Sequence, residues 1–192
     1  MSRIIDQHRR RFLRASGVTV LSASAVALLA GCEKMAAAQT SNSAGDVGIL
    51  NTALGLEHEA ISAYQVGAAS DLLQKPVLEV AVRFQSHHKG HRDALIATIR
   101  KLGGMPVAAK SDAEVAQALN AAALKTQVDV LRLAQRLEKG AANAYIGVIP
   151  SFSDKALAQV SARLAADEAM HWTVLTQVLN DSLPASALTF GA

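Results

Sequence analysis

An internal repeat constrains the fold of this chain more than any other feature of its sequence. The segments EHEAISAY (57–64) and EKGAANAY (138–145) carry Glu, Ala, Ala and Tyr at identical offsets. A second matched set follows each of them, FxxxHxxHxxxL from residue 84 and LxxxExxHxxxL from residue 164. Side chains three, four and seven residues apart share one face of an α-helix, so both sets predict helices. We therefore expect two copies of one helical hairpin.

Apolar residues recur every three or four positions from residue 46 onward, and Pro and Gly interrupt this pattern at only a few points. The interruptions predict four long helices, with Ser153 as the N-cap of the last, at roughly 46–70, 76–102, 122–149 and 154–180. The longer connection 103–121 contains SDAE (111–114), a capping-box pattern for a short extra helix. Short, long and short connections predict an all-α four-helix bundle with one crossover over residues 46–183, followed by a tail over 184–192.

Residues 1–31 match an export signal. Arg9 and Arg10 fit the twin-arginine pattern, and the apolar run after them ends in LAGC (29–32), which resembles the lipobox of bacterial lipoproteins. An uncleaved membrane anchor is the alternative, but the run between Arg14 and Gly31 has about 16 residues, and a spanning helix needs roughly 20. We expect export by the twin-arginine machinery, lipidation of Cys32, the single cysteine, and a flexible tether over residues 32–45. The expected location is the periplasm, with a lipid anchor in a bacterial membrane.

The positive charge of the chain belongs to this signal. Residues 1–31 contain five of the 19 Lys and Arg and one of the 16 Asp and Glu, which leaves 14 against 15 and a net charge of about −1. Such a balance does not indicate nucleic acid as a partner. The oligomeric state is left open.

Six polar residues lie on helix faces that are predicted to point into the core. Because unpaired buried carboxylates are unfavourable, a metal ion is the simplest partner for them. The predicted metal ligands are Glu57, His88, His91, Glu138, Glu168 and His171. Tyr64 and Tyr145 are expected to donate hydrogen bonds to neighbouring carboxylates.

The stretch SHHKGH (86–91) leaves a choice between two histidines. His87 and His91 are four residues apart and could chelate a metal from one helix face. The internal repeat favours His88 instead, because His88 occupies the position of Glu168. We therefore expect His87 to lie on a polar helix face.

A Glu and a later Glu-x-x-His, repeated over four helices, resemble the di-metal carboxylate pattern of the ferritin-like superfamily, in particular of its exported, twin-arginine members. The resemblance covers nearly all of residues 46–180. It implies one or two ions of iron or manganese that react with dioxygen or peroxide. His88 departs from the pattern, because the family usually has a metal-bridging Glu there.

Two classes of function remain. The first is an envelope protein that handles metal ions or acts as a non-haem di-metal oxidoreductase. The second is a non-catalytic helical lipoprotein whose site is degenerate or purely structural. Four Glu would cancel the charge of two divalent ions, whereas three Glu leave a net charge of +1. We therefore expect an asymmetric pair of ions or a singly occupied site.

Overall fold

The computed structural model describes residues 43–191, which form five α-helices. The helices are α1 (Ser43–Ala68), α2 (Lys75–Lys101), α3 (Asp112–Ala118), α4 (Gln127–Val148) and α5 (Lys155–Val178). All regular structure in this part of the chain is helical, which confirms the predicted all-α bundle. The predicted signal, Cys32 and most of the tether lie outside the described residues. No helix within 43–191 has the length and hydropathy needed to cross a membrane.

The two predicted hairpins are formed by α1 with α2 and by α4 with α5, and the hairpins also meet through α1 and α4. Tyr64 of α1 bonds Glu138 of α4, and Tyr145 of α4 bonds Glu57 of α1, so α1 and α4 run antiparallel. The crossover between α2 and α4 carries α3, which packs on α1. The fold thus has the single long connection that the sequence predicts.

Capping boxes fix the starts of α3 and α4. The predicted box between Ser111 and Glu114 is confirmed. The start of α4 lies at Gln127 and not near residue 122 as predicted, because Thr126 and Asp129 cap it there. The Asp129 N–H donates to the Thr126 hydroxyl at 3.2 Å, and the Thr126 N–H donates to the Asp129 carboxylate at 2.8 Å.

The start of α5 is also held by side chains. Its N-cap is Asp154, so the prediction of Ser153 is wrong by one residue. The buried carboxylate of Asp46, from the first turn of α1, accepts hydrogen bonds from the Ser153 and Asp154 N–H groups at 2.9 and 3.2 Å. This contact ties the beginning of α1 to the α4–α5 connection.

Two apolar layers enclose the middle of the bundle. One layer contains Leu50, Ala53, Leu54, Leu95, Ile99, Tyr145, Leu157, Leu164 and Ala165. The other contains Tyr64, Ala81, Phe84, Leu131 and Leu175. On each of the four long helices, the predicted metal ligands fall between a residue of the first layer and a residue of the second. The packing therefore holds these polar groups at one level, away from solvent.

Candidate metal centre

Each long helix contributes to one buried cluster at this level. The carboxylates come singly from α1, α4 and α5, two imidazoles come from α2, and a third comes from α5. Their exposures are 1% for Glu57, 1% for His88, 8% for His91, 2% for Glu138, 0% for Glu168 and 0% for His171. The structure thus brings together all six residues singled out in the sequence.

The six residues form two overlapping groups of four. The first comprises Glu57, His88, His91 and Glu168, and the second comprises His88, Glu138, Glu168 and His171. In each group, one ligand atom from every residue lies within 4.8 Å of all the others. His88 and Glu168 belong to both groups, and His87 to neither. Glu168 could therefore serve two adjacent metal ions, whereas a neutral imidazole at His88 has one lone pair and could serve only one of them.

His88 lies between the two remaining carboxylates. Its Nδ1 atom is 2.8 Å from Glu57 Oε2, and its Nε2 atom is 3.2 Å from Glu138 Oε1. Glu168 Oε1 is 3.8 Å from His88 Nδ1. An imidazole here contacts both halves of the cluster, one through each ring nitrogen.

His91 and His171 present Nδ1 to the cluster and Nε2 to its outside. His91 Nδ1 lies 3.2 Å from Glu168, and His171 Nδ1 lies 3.3 Å from Glu138. On the outer side, His91 Nε2 lies 3.2 Å from Asp167 Oδ2 and His171 Nε2 lies 2.9 Å from His87 Nδ1. A histidine that offers the lone pair of Nδ1 to a metal must carry its proton on Nε2 and donate it outward. Asp167 and His87 are placed to accept that hydrogen bond.

The expectation for His87 is therefore wrong in part. Its ring is half-buried, and it stacks on the His171 ring with the centroids 5.1 Å apart. Phe84 stacks on the same imidazole with the centroids 4.1 Å apart. His87 thus supports a cluster residue, in addition to contacting solvent.

Tyr64 and Tyr145 make the carboxylate contacts predicted for them. The Tyr64 hydroxyl donates to Glu138, and the Tyr145 hydroxyl donates to Glu57. Burial, together with the negative charge of the neighbouring carboxylates, raises the pKa of both tyrosines well above its usual value. Both phenols therefore stay protonated at neutral pH, as donors that orient the two carboxylates.

The pKa shifts of the cluster favour charged imidazoles beside charged carboxylates when no metal is bound. Burial raises the pKa of Glu57, but hydrogen bonds and charges from His88 and His91 outweigh it and lower the pKa to about 2. Burial lowers the pKa of His88 and His91, but the surrounding carboxylates outweigh it and raise these pKa values to about 10 and about 11. A metal that binds here must displace the protons from the imidazoles.

Glu168 fits the cluster least well as a purely hydrogen-bonded residue. Burial raises its pKa and outweighs the opposing effect of His171 and His91, whose nitrogens lie 3.4 and 3.2 Å from its carboxylate without meeting it in hydrogen-bond geometry. His91 Nδ1 is likewise without a hydrogen-bond partner. Buried polar atoms of native proteins usually have partners, and exceptions call for an explanation such as an ion. The oxygen and nitrogen donors of this cluster therefore fit a divalent cation.

Sequence reasoning missed Asp167 as part of the site. Its carboxylate is about half exposed and bonds His91 of the opposite hairpin. The repeat contained a signal, because Asp167 precedes Glu168 as His87 precedes His88. Trp172 is buried and meets Phe190 of the tail edge-on, with the ring centroids 5.2 Å apart.

Comparison with known proteins supports the same fold. Residues 45–181 match the sequence model of the ferritin-like domain family. A comparison with curated proteins gave no match. Among solved structures, the chain is similar to a conserved hypothetical protein, Rv2844, from Mycobacterium tuberculosis, with a TM-score of 0.61, 21% identity, and coverage of 77% of this chain and 99% of that chain. Because the family match spans more than half of the 192 residues, the chain belongs to the ferritin-like domain family.

Proposed function

We propose that the buried cluster binds one or two ions of iron or manganese, and that the protein handles these metals or reduces dioxygen or peroxide with them. The observation that carries this proposal is the pair of overlapping four-residue groups that share Glu168, whose carboxylate has no hydrogen-bond donor. Both groups lie in a family whose di-metal members build such sites between the helices of the bundle.

Each hairpin would hold one ion with one Glu and one histidine of its own, the terminal carboxylate and the terminal histidine of that ion. Glu57 and His91 would serve the first ion, and Glu138 and His171 the second. His88 and Glu168 lie between the two. A carboxylate can bridge two metals, whereas a neutral imidazole has one lone pair and binds one metal. The two sites are therefore unequal, and the ion that does not receive the lone pair of His88 is bound more weakly.

The side chains supply geometry and exclude water. Tyr64 and Tyr145 hold one oxygen of each terminal carboxylate, and Asp167 and His87 orient the two terminal histidines. Outer hydrogen bonds of this kind fix the ring orientation and raise the basicity of a metal-binding histidine. Iron or manganese bound here would supply the one-electron redox chemistry that the side chains lack.

The export signal bears on the identity of the metal. The intrinsic order of affinities favours copper and zinc over iron and manganese for a site of nitrogen and oxygen donors. Twin-arginine export carries folded proteins, and it would allow the site to fill in the cytoplasm before the chain reaches the envelope. We therefore include twin-arginine export, lipid attachment at Cys32 and a periplasmic location in the proposal. Cys32→Ala should release the protein into the soluble periplasmic fraction, and retention of this variant in the membrane with its signal intact would contradict the lipid anchor.

The alternative is a structural cluster in a non-catalytic lipoprotein. One feature favours it: the raised pKa of His88 and His91 and the lowered pKa of Glu57 and Glu138 favour imidazolium–carboxylate pairs that need no metal. Elemental analysis distinguishes the two functions. Protein purified after native export should contain iron or manganese, at no more than two ions per chain, and added metal should raise the unfolding temperature, because a ligand bound only by the folded state stabilises it. Metal-free protein that gains no stability from either metal would favour the structural cluster.

A further inference from the structure

A cavity of about 460 Å³ opens beside the metal cluster, toward the end of the bundle where α1 finishes. Its inner wall includes Tyr64, His88 and Glu138, all of which belong to the cluster or contact it. From there it extends past Val66 and Leu73 to the end of the bundle. The cavity therefore adjoins the candidate metal centre, and binding of the metal alone does not account for it.

Six segments of the chain surround this cavity, and the α1–α2 connection with Leu73 is one of them. Besides α1 and α4, its lining includes Val77 of α2, Leu175 of α5, and Leu119 and Leu124 of the crossover. A space with walls from all these directions is a concave pocket, and a flat helix face would have walls on one side only. Its volume lies within the range of roughly 300 to 1,000 Å³ that is usual for small-molecule sites.

The lining specifies the chemistry of an occupant. Apart from Glu59, His88, Arg136 and Glu138, every lining residue is Leu, Val, Ala, Gly, Pro or Tyr. Glu59 and Arg136 carry opposite charges. They lie at different levels, because Glu59 follows Glu57, which is level with Tyr145, whereas Arg136 precedes Glu138, which is level with Tyr64. The other two polar residues are engaged with the metal cluster. A neutral, mostly apolar molecule fits such a lining better than an ion does.

We propose that this cavity binds a neutral apolar organic molecule, a hydrocarbon chain or ring system, with one end against Tyr64 and Glu138. Burial of the apolar surface of the ligand and of the lining side chains would drive binding. The inference deepens the proposed function, because it places an organic substrate class next to the metals. Binding itself requires no metal, so the two proposals can fail separately.

The test uses the neutral fluorophore N-phenyl-1-naphthylamine and the full chain, in metal-free and in iron-loaded form. We expect a saturable increase in fluorescence, with one site per chain, in both forms. Ala141→Trp introduces a large ring at the lining and should weaken binding by about 10-fold or more, because it fills the space that the probe needs. Ala97→Trp, at an exposed position of α2 outside the cavity, is the matched control and should bind as the unchanged chain does.

Ala63→Met is a second, smaller filling variant, and circular dichroism of all three variants verifies that they fold. Equal binding by the filled variants and the control, or no saturable binding by the unchanged chain, would overturn the proposal. Sedimentation tests a second copy of the chain as the occupant. A dimer that dissociates in Ala141→Trp would assign the cavity to that copy and would also overturn the proposal. Probe binding without metal uptake would refute the metal proposal alone.

Discussion

The two hairpins of the bundle contribute matched residues at most positions of the cluster and different residues at two adjacent positions. Both supply a Glu, a Tyr and a terminal histidine at equivalent places. The α1–α2 hairpin then supplies His87 and His88 where the α4–α5 hairpin supplies Asp167 and Glu168. The first half of the site is therefore rich in imidazole, and the second is rich in carboxylate.

The difference changes the hydrogen bonds that orient the metal-binding histidine of each half. The outer partner of His91 is a carboxylate from the opposite hairpin, whereas the outer partner of His171 is a second imidazole. A charged acceptor strengthens the hydrogen bond from a metal-binding histidine more than a neutral acceptor does. Repeat symmetry thus sets the positions of the groups, and the substitutions within the repeat determine their electrostatics.

The largest effect is expected for Glu168→Gln, since both four-residue groups contain Glu168. The variant keeps the shape of the side chain and removes an anionic ligand from both ions, so metal content should fall to nearly zero. The metal-free variant should be no less stable than the unchanged chain, because a buried carboxylate without hydrogen-bond donors is itself unfavourable. Elemental analysis and thermal unfolding measure the two effects.

Glu79→Gln, at an exposed position of α2, is the control and should keep its metal. Retention of metal by Glu168→Gln would show that Glu168 is not shared between the ions. A large loss of stability in its metal-free form would instead show that the carboxylate stabilises the bundle through its charge.

Asp167→Asn and His87→Ala test the outer partners of the two halves. Loss of such a partner commonly weakens metal binding by about 10- to 100-fold. We expect Asp167→Asn to lower the affinity for the ion bound by His91 by about 10-fold or more. His87→Ala should lower the affinity for the ion bound by His171 by less, because His87 provides a neutral acceptor that water can replace. Metal titration against a competing chelator measures both affinities, with Asp93→Asn, exposed on α2, as the control. A greater loss in His87→Ala would reverse the proposed difference between the halves.

The sequence predicted the positions of the cluster residues because these depend on helix periodicity alone. Glu168 and His171 share a stripe with Leu164 and Leu175, and the repeat places His88 and His91 on the equivalent stripe of α2. Four such stripes at equal depths suffice to bring six residues together. Whether they hold a metal stays a prediction.

The contacts outside this stripe could not be predicted in the same way. The bond between His87 and His171 joins residues 84 positions apart and depends on the rotamer of each ring. Periodicity places His87 at the boundary between the buried and the exposed face of α2. A side chain there can turn either to solvent or to a neighbouring helix. The start of α4 was a different kind of error, because Thr126 and Asp129 already had the spacing of a capping box.

His88→Glu would give both halves a Glu-x-x-His pair and should raise metal occupancy toward two ions per chain. A fourth carboxylate would cancel the charge of two divalent ions, and it can bridge them where an imidazole cannot. The metal-free variant should lose stability, because four buried carboxylates would remain with two cluster imidazoles. Elemental analysis and thermal unfolding with and without added metal measure both effects. Unchanged occupancy would mean that His88 does not limit the second ion.

The smallest effect concerns the pH dependence of the metal-free chain. The pKa of His88 and His91 is raised from 6.5 to about 10 and about 11 in the folded state, so their stabilising contribution is complete below pH 6.5 and is lost as the pH rises through these values. The pKa of Glu57 is lowered from 4.5 to about 2, so its contribution is present above pH 4.5 and is lost as the pH falls toward 2. The metal-free protein should therefore be most stable between about pH 4.5 and 6.5.

Urea unfolding of metal-free protein at pH 6, 8 and 9.5 measures the alkaline side of this profile. The free energy of unfolding should fall with pH, by about 1.4 kcal/mol per pH unit for each proton that the folded cluster holds and the unfolded chain has lost. His91→Gln should reduce this slope by about one proton. His58→Gln should leave it unchanged, because His58 lies outside the cluster and contacts the Val107 carbonyl of the crossover. Metal-loaded protein should not show the loss, since bound metal requires neutral imidazoles and its affinity rises with pH. Equal stability of the metal-free chain at pH 6 and 9.5 would mean that the histidine-rich half is not protonated, and that something other than imidazolium neutralises its carboxylates.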